Sequence, residues 1–376
     1  MNPKIYLSSP HIGKNEQAYI KEAFDTNWVA PLGPNVTYFE NALESYLGEN
    51  THVAALSSGT AALHLALILL GVQQDDEVLC QSMTFSASAN PITYLKATPI
   101  FIDSEKDTWN ICPEALETAI KDRISKGKKP KAIIAVHLYG MPFKVDDLRF
   151  ISTRYEIPII EDSAEALGSS HKDIKCGTFG DIAVLSFNGN KIITTSGGGA
   201  LVAKSQEVKQ KAIFLATQAR DKAPHYQHSE IGYNYRLSNI CAGIGRGQME
   251  VLNERVSARR NNHSFYKSIF SKYEGVSVFE EPTADFISNH WLSCILIDKT
   301  TAKFTPQQLI DALEYDNIES RPLWKPMHLQ PVFTYAPYYG GTVSEDLFHK
   351  GLCLPSGSNL SHEDLERIRR VIQKFE

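Results

Sequence analysis

The sequence lacks the cysteine pattern of a disulfide-stabilised secreted domain. Its six cysteines are scattered along 376 residues and form no C-x-x-C pair, whereas small secreted domains carry cysteines densely and at regular spacings. An excess of positive charge is also lacking, because 38 lysines and arginines stand against 43 acidic residues and give a net charge of −5. This charge balance argues against a basic footprint for sequence-independent nucleic-acid binding. We therefore expect reduced thiols and no nucleic-acid partner.

Long hydrophobic runs are missing as well. The longest apolar stretch, AALHLALILLGV at 61–72, contains His64 and is shorter than the roughly 20 residues that cross a bilayer. The first residues, MNPKIYLSSPHIGKNEQ, include no apolar leader segment. We expect a cytoplasmic protein without a membrane span.

The sequence does contain enough apolar residues for a large core. Contents of 43% hydrophobic and 22% charged residues are ordinary for a globular protein, and 376 residues predict about two domains. We place a large domain at 14–250 and a smaller α+β domain at 251–376, which 1–13 joins. The boundary falls inside a long amphipathic helix that starts near ICAGIGRGQ.

Short β-rich runs alternate with helical patterns through the first 200 residues. The runs HVAAL, EVLCQS, TPIFID, KAIIAV, IPIIED and DIAVLSF predict strands. This alternation is typical of βαβ units and of a mostly parallel sheet that is covered on both faces. Ligands of such sheets bind beyond the carboxyl ends of the strands. That position selects the loops SSGT, TF, VHLYG and EDSAE as neighbours around one crevice.

Lys191 lies in an unusual setting for a charged residue. It belongs to AVLSFNGNKIITTSGGGALV (183–202), between two apolar runs that we expect to pair as strands. Burying an ammonium group is costly, and a desolvated lysine becomes a usable nucleophile toward carbonyl groups. Taken alone, such a stretch is more often a surface loop with an ordinary lysine.

Three further features at strand ends favour a functional role for Lys191 over an ordinary surface lysine. The SSGT turn at 57–60 joins a strand to a helix and predicts a phosphate site, although a plain helix N-cap also explains it. Asp162 ends an apolar strand, where a carboxylate needs a cationic partner, and Phe85 offers an aromatic face. With Lys191 they form the set that pyridoxal phosphate (PLP) requires, namely an amine, a partner for the pyridine nitrogen, N–H groups for phosphate and a stacking ring.

The sequence resembles the DegT/DnrJ/EryC1/StrS aminotransferases, the nucleotide-sugar branch of the fold-type I PLP enzymes. The matching segments, in the family's order, are SSGTAALHLAL, TFSASAN, VHLYGMP, EDSAEALG, GTFGDIAVLSFNGNKIITTSGGG and GYNYRLSNICAGIGRGQ. The resemblance covers roughly residues 5–360. It implies an α/β fold with a mostly parallel seven-stranded sheet in the large domain and a smaller α+β C-terminal domain.

The resemblance also implies roles for individual residues. Lys191 matches the lysine that bonds PLP, and Asp162 matches the partner of the pyridine nitrogen. The residues that match the rest of the cofactor site are Ser58, Gly59, Thr60 and Ser186 around the phosphate, Phe85 over the ring, and Asn234, which reaches the phosphate of a neighbouring subunit. That last match implies a homodimer with composite active sites. Glu165 stands near the ring's phenolic oxygen, where most members carry glutamine or histidine, so its protonation state is open.

The SFNGNKIITTSGGG stretch is most similar to bacterial transaminases that make UDP-4-amino-4,6-dideoxy-N-acetylglucosamine, a precursor of bacillosamine-type glycans. The implied reaction moves the amino group of L-glutamate to the C4 keto group of a UDP-linked 4-keto-6-deoxy-N-acetylhexosamine. A dTDP- or GDP-linked sugar and amination at C3 stay open. Two other classes are a PLP-dependent sugar dehydratase, which carries histidine in place of the lysine, and a regulatory relative without catalysis. The presence of Lys191 and Asp162 weighs against both.

Candidate substrate contacts come from two segments. His228 lies in a polar loop that is near the substrate in this family, and RPLWKPMH supplies Arg321, Lys325 and His328, of which the first two are candidate partners of a diphosphate. His225 and His228 form an H-x-x-H pair without an evident third ligand, so we expect no metal site. Trp324, in the same RPLWKPMH segment, is most simply a packing residue.

Overall fold

The computed structural model describes residues 2–376. Across this part of the chain the fifteen strands are β1 (His52–Leu56), β2 (Glu77–Gln81), β3 (Thr98–Ile102), β4 (Ala132–Val136), β5 (Ile159–Asp162), β6 (Ser170–His171), β7 (Ile174–Lys175), β8 (Ile182–Ser186), β9 (Gly199–Ala203), β10 (Val276–Val278), β11 (Phe286–Ile287), β12 (Ser293–Ile297), β13 (Arg321–Pro322), β14 (Tyr338–Tyr339) and β15 (Gly351–Leu354). The α-helices are α1 (Glu16–Asp25), α2 (Pro34–Leu47), α3 (Gly59–Leu69), α4 (Ser86–Tyr94), α5 (Pro113–Ser125), α6 (Val145–Tyr155), α7 (Gln206–Ala216), α8 (Asn239–Glu250), α9 (Leu252–Phe270), α10 (Pro306–Tyr315), α11 (Val343–Lys350) and α12 (His362–Ile372). Short 3₁₀ turns lie at Leu138–Gly140, Met327–Leu329, Pro331–Phe333 and Gln373–Phe375.

The large sheet has the strand order β1-β9-β8-β5-β4-β2-β3-β14. Neighbours from β8 to β14 are parallel, whereas β9 runs antiparallel to both β8 and β1. The pairing of β8 with β9 confirms the predicted neighbouring strands on either side of Lys191. The sheet has eight strands instead of the expected seven, because the two-residue β14, from beyond residue 250, adds to the edge at β3.

Helices cover both faces of this sheet, as the alternation predicts. α3, α4 and α7 pack on one face through residues such as Leu65, Ile92 and Leu215. α5 and α6 pack on the other face through residues such as Ile120 and Leu148. The apolar run at 61–72 therefore forms, for most of its length, the buried helix α3. Across residues 2–376 no helix is long and apolar enough to cross a membrane.

A second, four-stranded sheet in the order β10-β12-β15-β13 lies in the last third of the chain. α9, α10 and α12 cover it through Tyr266, Leu309 and Ile368, which share one buried cluster. The single long helix that we expected around residue 250 is instead two helices, because α8 and α9 are separated at Val251, whose φ and ψ of −113° and 5° are not helical.

Candidate active site

A cleft of about 500 Å³ opens at the carboxyl ends of the parallel strands. Nine residues that the sequence singled out line it: Ser58, Gly59, Thr60, Phe85, Asp162, Glu165, Ser186, Lys191 and Arg321. Trp291, Trp324 and Cys353 add a wall from beyond residue 250. The loops that were chosen from the sequence therefore meet in one place, against elements of the second sheet.

One end of the cleft is the N-terminus of α3. Ser58 is the N-cap, and its Oγ accepts a hydrogen bond of 3.0 Å from the N–H of Ala61. The N–H groups of Gly59 and Thr60 have no acceptor among residues 2–376, so they are free for a ligand. Gly199 of β9 allows this helix start to lie against the sheet, because a Cβ added there would lie 2.4 Å from the nitrogen of Gly59. Free N–H groups and the positive end of the helix dipole together favour an anion such as phosphate.

Lys191 lies on a loop whose two ends are fastened beside that helix start. The N–H of Phe187 donates to the carbonyl of Gly198 at 2.9 Å, and the N–H of Thr195 donates to the carbonyl of Phe187 at 2.9 Å. The Lys191 side chain is only 10% exposed. Its Nζ lies 3.2 Å from Oε1 of Glu165 and 4.2 Å from the centre of the Trp291 ring. The amine is thus held in the cleft by one carboxylate and one aromatic face.

Glu165 is fully buried, and its two oxygens have different partners. Oε1 accepts from Lys191, while Oε2 accepts from the N–H of Tyr139 at 2.7 Å. Burial raises the pKa of Glu165 to about 7, with the nearby charge of Asp162 adding to the rise and Lys191 opposing it. Tyr139 has a φ of 55°, a left-handed backbone that is unusual for a residue other than glycine. This conformation directs its N–H at the carboxylate.

Asp162 is a buried carboxylate without a charged partner. Its Oδ2 accepts from Ser88 Oγ at 2.6 Å and its Oδ1 from the N–H of Ala164 at 3.1 Å. Among residues 2–376 no lysine, arginine or histidine forms an ion pair with it, so the cationic partner that the sequence led us to expect is not a side chain of the described chain. A carboxylate that is 4% exposed and lines a cleft without a cation is a site for a cationic ligand group.

Aromatic side chains form the remaining walls. Phe85 is 55% exposed, and its ring centre lies 5.5 Å from that of Trp324. The backbone N–H of Trp324 donates to the hydroxyl of Tyr139 at 2.9 Å. Trp324 packs against a buried cluster, as expected, and it also lines the cleft. These rings offer flat apolar surfaces to a planar ligand.

Four residues from the sequence prediction lie outside the lining of this cleft. Asn234 and His228 are exposed, and the ring of His228 bonds the carbonyl of Gln218 at 2.8 Å. Lys325 is exposed on the loop behind Trp324. His328 points inward, where Nδ1 lies 2.7 Å from Ser82 Oγ and the ring stacks on Tyr338. His328 is therefore already fully engaged in packing the loop against the sheet.

A buried group of His137, Glu161 and Cys176 has the geometry of metal ligands, with candidate ligand atoms within 4.8 Å of one another. The oxygens of Glu161 already accept five hydrogen bonds, from His137 Nε2, from Ser163 Oγ and from three backbone N–H groups at 177, 179 and 180. A carboxylate with this many donors is satisfied without an ion.

Sequence reasoning did not single out Ser88, Asn289, Trp291 or Arg259. Asn289 is fully buried and donates to the carbonyls of Glu165 and Leu167, at 2.8 and 2.9 Å. These residues contact partners that are tens to hundreds of positions away in the sequence. A local sequence pattern does not reveal such contacts. Only Ser88 could have been found, because it lies in the TFSASAN segment beside Phe85.

The comparisons with known proteins agree with this geometry. The model of the DegT/DnrJ/EryC1/StrS aminotransferase family matches residues 10–373. A putative pyridoxal phosphate-dependent aminotransferase, EpsN, from Bacillus subtilis (strain 168) is 51% identical over 376 residues, with 99% of this chain and 96% of the relative covered. GDP-perosamine synthase from Escherichia coli O157:H7 is 36% identical over 374 residues, with 99% and 98% covered. A DegT DnrJ EryC1 StrS aminotransferase from Brucella abortus has a crystal structure that matches with a TM-score of 0.88 at 30% identity, over 96% of this chain and 95% of that one.

The chain belongs to the DegT/DnrJ/EryC1/StrS aminotransferase family. It is a PLP-dependent nucleotide-sugar aminotransferase, and its fold is that of the fold-type I PLP enzymes. The described residues fit the cofactor on their own geometry. Asp162 is buried without a cation, Gly59 and Thr60 present free N–H groups, and the Lys191 amine lies in the same cleft.

Proposed function

We propose that the protein transfers the amino group of L-glutamate to the C4 keto group of a UDP-linked 4-keto-6-deoxy-N-acetylhexosamine. The observation that carries the aminotransferase chemistry is the meeting of the Lys191 amine and the cation-free carboxylate of Asp162 in one cleft. The resemblance of the SFNGNKIITTSGGG stretch supports the choice of sugar. None of the six cysteines forms a disulfide among residues 2–376, which supports a cytoplasmic site of action.

Each side chain of the cleft would have a separate task. When bound, PLP supplies an electron-poor ring that accepts the electron pair left when a substrate C–H bond breaks. Lys191 would hold the aldehyde carbon and, once free, move the proton that leaves the amino donor's Cα. Asp162 would keep a proton at the ring nitrogen. Glu165, with a pKa near 7, would share a proton with its neighbours instead of carrying a fixed charge.

The remaining cofactor contacts would fix the ring in place. Ser58, Gly59, Thr60 and Ser186 would bind the phosphate at the start of α3, and Phe85 would cover one face of the ring. Because the same cleft would receive the amino donor and the keto sugar in turn, the proposal predicts ping-pong kinetics.

The nucleotide would lie toward the mouth of the cleft at Arg321. This side chain is 66% exposed and pairs with Glu319, with Nη2 2.9 Å from Oε1. An exposed guanidinium with a single carboxylate partner can exchange that partner for a diphosphate at little cost. Lys325 and His328 are weaker candidates, since Lys325 lies outside the cleft lining and His328 is held by Ser82.

A panel of nucleotide sugars tests the choice of substrate. Holoenzyme with L-glutamate would be offered UDP-, dTDP- and GDP-linked 4-keto-6-deoxy sugars, with release of 2-oxoglutarate as the readout. The highest kcat/KM with the UDP-linked N-acetylhexosamine would support the proposal. Preference for a GDP-linked sugar would replace it with a second candidate, which the 36% identity with GDP-perosamine synthase favours.

We also propose a homodimer in which Asn234 completes the partner's site. Asn234 is exposed and lines no part of its own chain's cleft. Nearby, Arg236 borders a surface pocket with Trp28 and Leu32. The apolar residues of this surface are Phe24, Trp28, Val29, Leu32 and Tyr38, each between 40% and 60% exposed. Clustered apolar exposure of this kind marks an interface between chains.

Subunit complementation tests the composite site. Lys191→Ala and Asn234→Asp are each expected to be nearly inactive, the second because its carboxylate would repel the phosphate. Co-expressed together, they should regain about a quarter of wild-type activity, because mixed dimers hold one intact site. Activity no higher than the mean of the two parents would place Asn234 in its own chain's site or outside the chemistry.

We propose that the large domain ends at residue 250 and that the smaller domain comprises residues 251–376 together with residues 1–13. The break between α8 and α9 at Val251 and the separate core of the four-stranded sheet support it. Limited proteolysis that cuts first near this break would agree with the division.

A further inference from the structure

Arg259 is the largest side chain in the fully buried interior, with 1% of its surface exposed. It lies on α9, and no carboxylate of residues 2–376 pairs with it. Burial lowers the pKa of Arg259 to about 9, with the charge of Arg255 adding to the effect. Burying a guanidinium without a counter-ion costs folding free energy. Its hydrogen-bond partners indicate a specific role.

The partners of Arg259 converge on the Lys191 loop. Nη1 donates to the carbonyl of Trp291 at 2.5 Å, and Nη2 donates to Ser8 Oγ at 2.9 Å and, more weakly, to the carbonyl of Lys191 at 3.5 Å. Ser8 Oγ in turn donates to the carbonyl of Asn190 at 2.6 Å. One guanidinium thereby joins the N-terminal segment, the lysine loop and the segment that precedes β12.

Trp291 belongs to the same hydrogen-bond network, because its side chain also contacts the Lys191 loop. Its Nε1 donates to the carbonyl of Asn190 at 2.7 Å, and its ring lies 4.2 Å from Lys191 Nζ. The backbone of Trp291, held by Arg259, thus sets the position of the ring against which the amine lies. A shift of either backbone would move the amine relative to Glu165 and to the cleft.

We propose that Arg259 is a positioning residue, which fixes the Lys191 backbone and the Trp291 ring relative to one another so that the amine faces the cofactor site. The proposal rests on the role of Lys191 given above. A misplacement of about 1 Å can cost up to a hundredfold in rate even when the mutated residue is far from the reacting atoms. Arg259 would act entirely through Lys191 and Trp291, without touching substrate.

Arg255 provides a matched control one helical turn earlier on α9. It is also buried, at 7% exposure, and also donates to a backbone carbonyl, that of Ile12 at 3.3 Å. Its other contact is with the ring of His11. It shares the helix, the burial and the type of contact with Arg259, but among residues 2–376 its side-chain hydrogen bonds go to His11 and Ile12 and not to the Lys191 loop or Trp291.

The test compares Arg259→Met, Arg259→Lys and Arg255→Met. The first readout is the rate at which PLP, added to apoenzyme, becomes bonded to Lys191, followed by borohydride reduction and peptide mapping. We expect Arg259→Met to slow this rate about tenfold or more, Arg259→Lys to fall between, and Arg255→Met to stay within about twofold of wild type. In steady state, Arg259→Met should lower kcat with little change in the KM for glutamate.

Two results would overturn the inference. One is an unchanged rate of Lys191 bonding in Arg259→Met. The other is an equal loss in the Arg259 and Arg255 variants that follows their loss of thermal stability, which would make the role merely structural. If Arg259→Met does not fold, Arg259→Lys and Ser8→Ala carry the test. Absence of any PLP bond to Lys191 in the wild type would instead refute the proposed function, so the two failures are distinguishable.

Discussion

Glu161 and Asp162 are consecutive residues at the end of β5, yet their side chains lie in opposite environments. Glu161 points behind the sheet, where it is 0% exposed and accepts five hydrogen bonds, one of them from His137 at 2.7 Å. Asp162 points into the cleft and accepts only two. Alternation of side chains along a strand separates them.

The contrast distinguishes a carboxylate that holds the fold from one that serves a ligand. Burial alone would raise the pKa of Glu161, but the hydrogen bond and charge of His137 and the backbone N–H donors lower it overall. Its charge is therefore neutralised from within the protein. Asp162 has only two uncharged donors among residues 2–376, and we propose that a ligand neutralises its charge. The number and charge of their hydrogen-bond donors thus distinguish two adjacent acids that look equivalent in the sequence.

Asp162→Asn should have the largest effect. We expect kcat to fall about a thousandfold, equivalent to ~4 kcal/mol, because asparagine cannot hold the proton at the ring nitrogen. The affinity for PLP and the thermal stability should change much less. Steady-state kinetics and PLP titration would measure this. Asp181→Asn, at the opposite end of the sheet, is the control, and wild-type turnover in Asp162→Asn would remove the proposed role.

Glu161→Gln should have the opposite effect, with a large loss of stability and little loss of kcat. The amide NH₂ would face backbone N–H groups that now donate to a carboxylate, so we expect a loss of about 3 kcal/mol in the free energy of unfolding. The kcat of the folded fraction should stay within about threefold of wild type. Urea denaturation and active-site titration would measure the two quantities. A large fall in kcat without a loss of stability would contradict the contrast with Asp162.

Glu165→Gln should change the pH dependence of the apoenzyme. The folded pKa of Glu165 is raised from 4.5 to about 7, so the folded state binds the extra proton in this interval. Its contribution to stability is complete below pH 4.5 and is lost as the pH rises to about 7. Relative to the variant, wild type should lose about 3 kcal/mol across this window. Denaturation curves at several pH values would show it, and parallel curves for the two proteins would contradict it.

Ser88→Ala should have the smallest effect. It removes one of the two hydrogen bonds to Asp162, which is worth about 1 kcal/mol or a five- to tenfold fall in kcat/KM. Ser86→Ala, two residues earlier on α4, is the matched control. If both variants behave like wild type, the 2.6 Å bond from Ser88 does not help to position the carboxylate.

Much of the fold could be predicted because its signals are local. The strands of the large sheet through residue 203, the helices between them and the pairing of β8 with β9 follow from residue spacing. β14 could not be predicted, because two residues in APYYGG carry no strand pattern and join the sheet only through β3. The break between α8 and α9 at Val251 could not be predicted either, because the helical spacing of apolar residues continues across it.

The cleft was predictable for residues at strand ends, where the topology determines position. Asp162, Lys191, Ser186 and the SSGT turn all belong to this group. The residue pattern alone showed that the buried charge of Asp162 needs a partner but not which group supplies it, and the resemblance assigned that partner to the pyridine nitrogen of the cofactor. Trp291, Asn289 and Arg259 were missed, since their contacts with the site depend on how the second sheet packs on the first.

The loop that carries Lys191 is fastened at Phe187 and Gly198, directly beside the strands that hold Ser186 and Gly199. The sheet, and not the loop, therefore sets the distance from Ser186 and the start of α3 to the loop's two ends. A segment attached in this way can be exchanged as a cassette. Grafting it from a relative with another sugar preference would alter the surroundings of the amine, while the residues that we propose for phosphate binding keep their place.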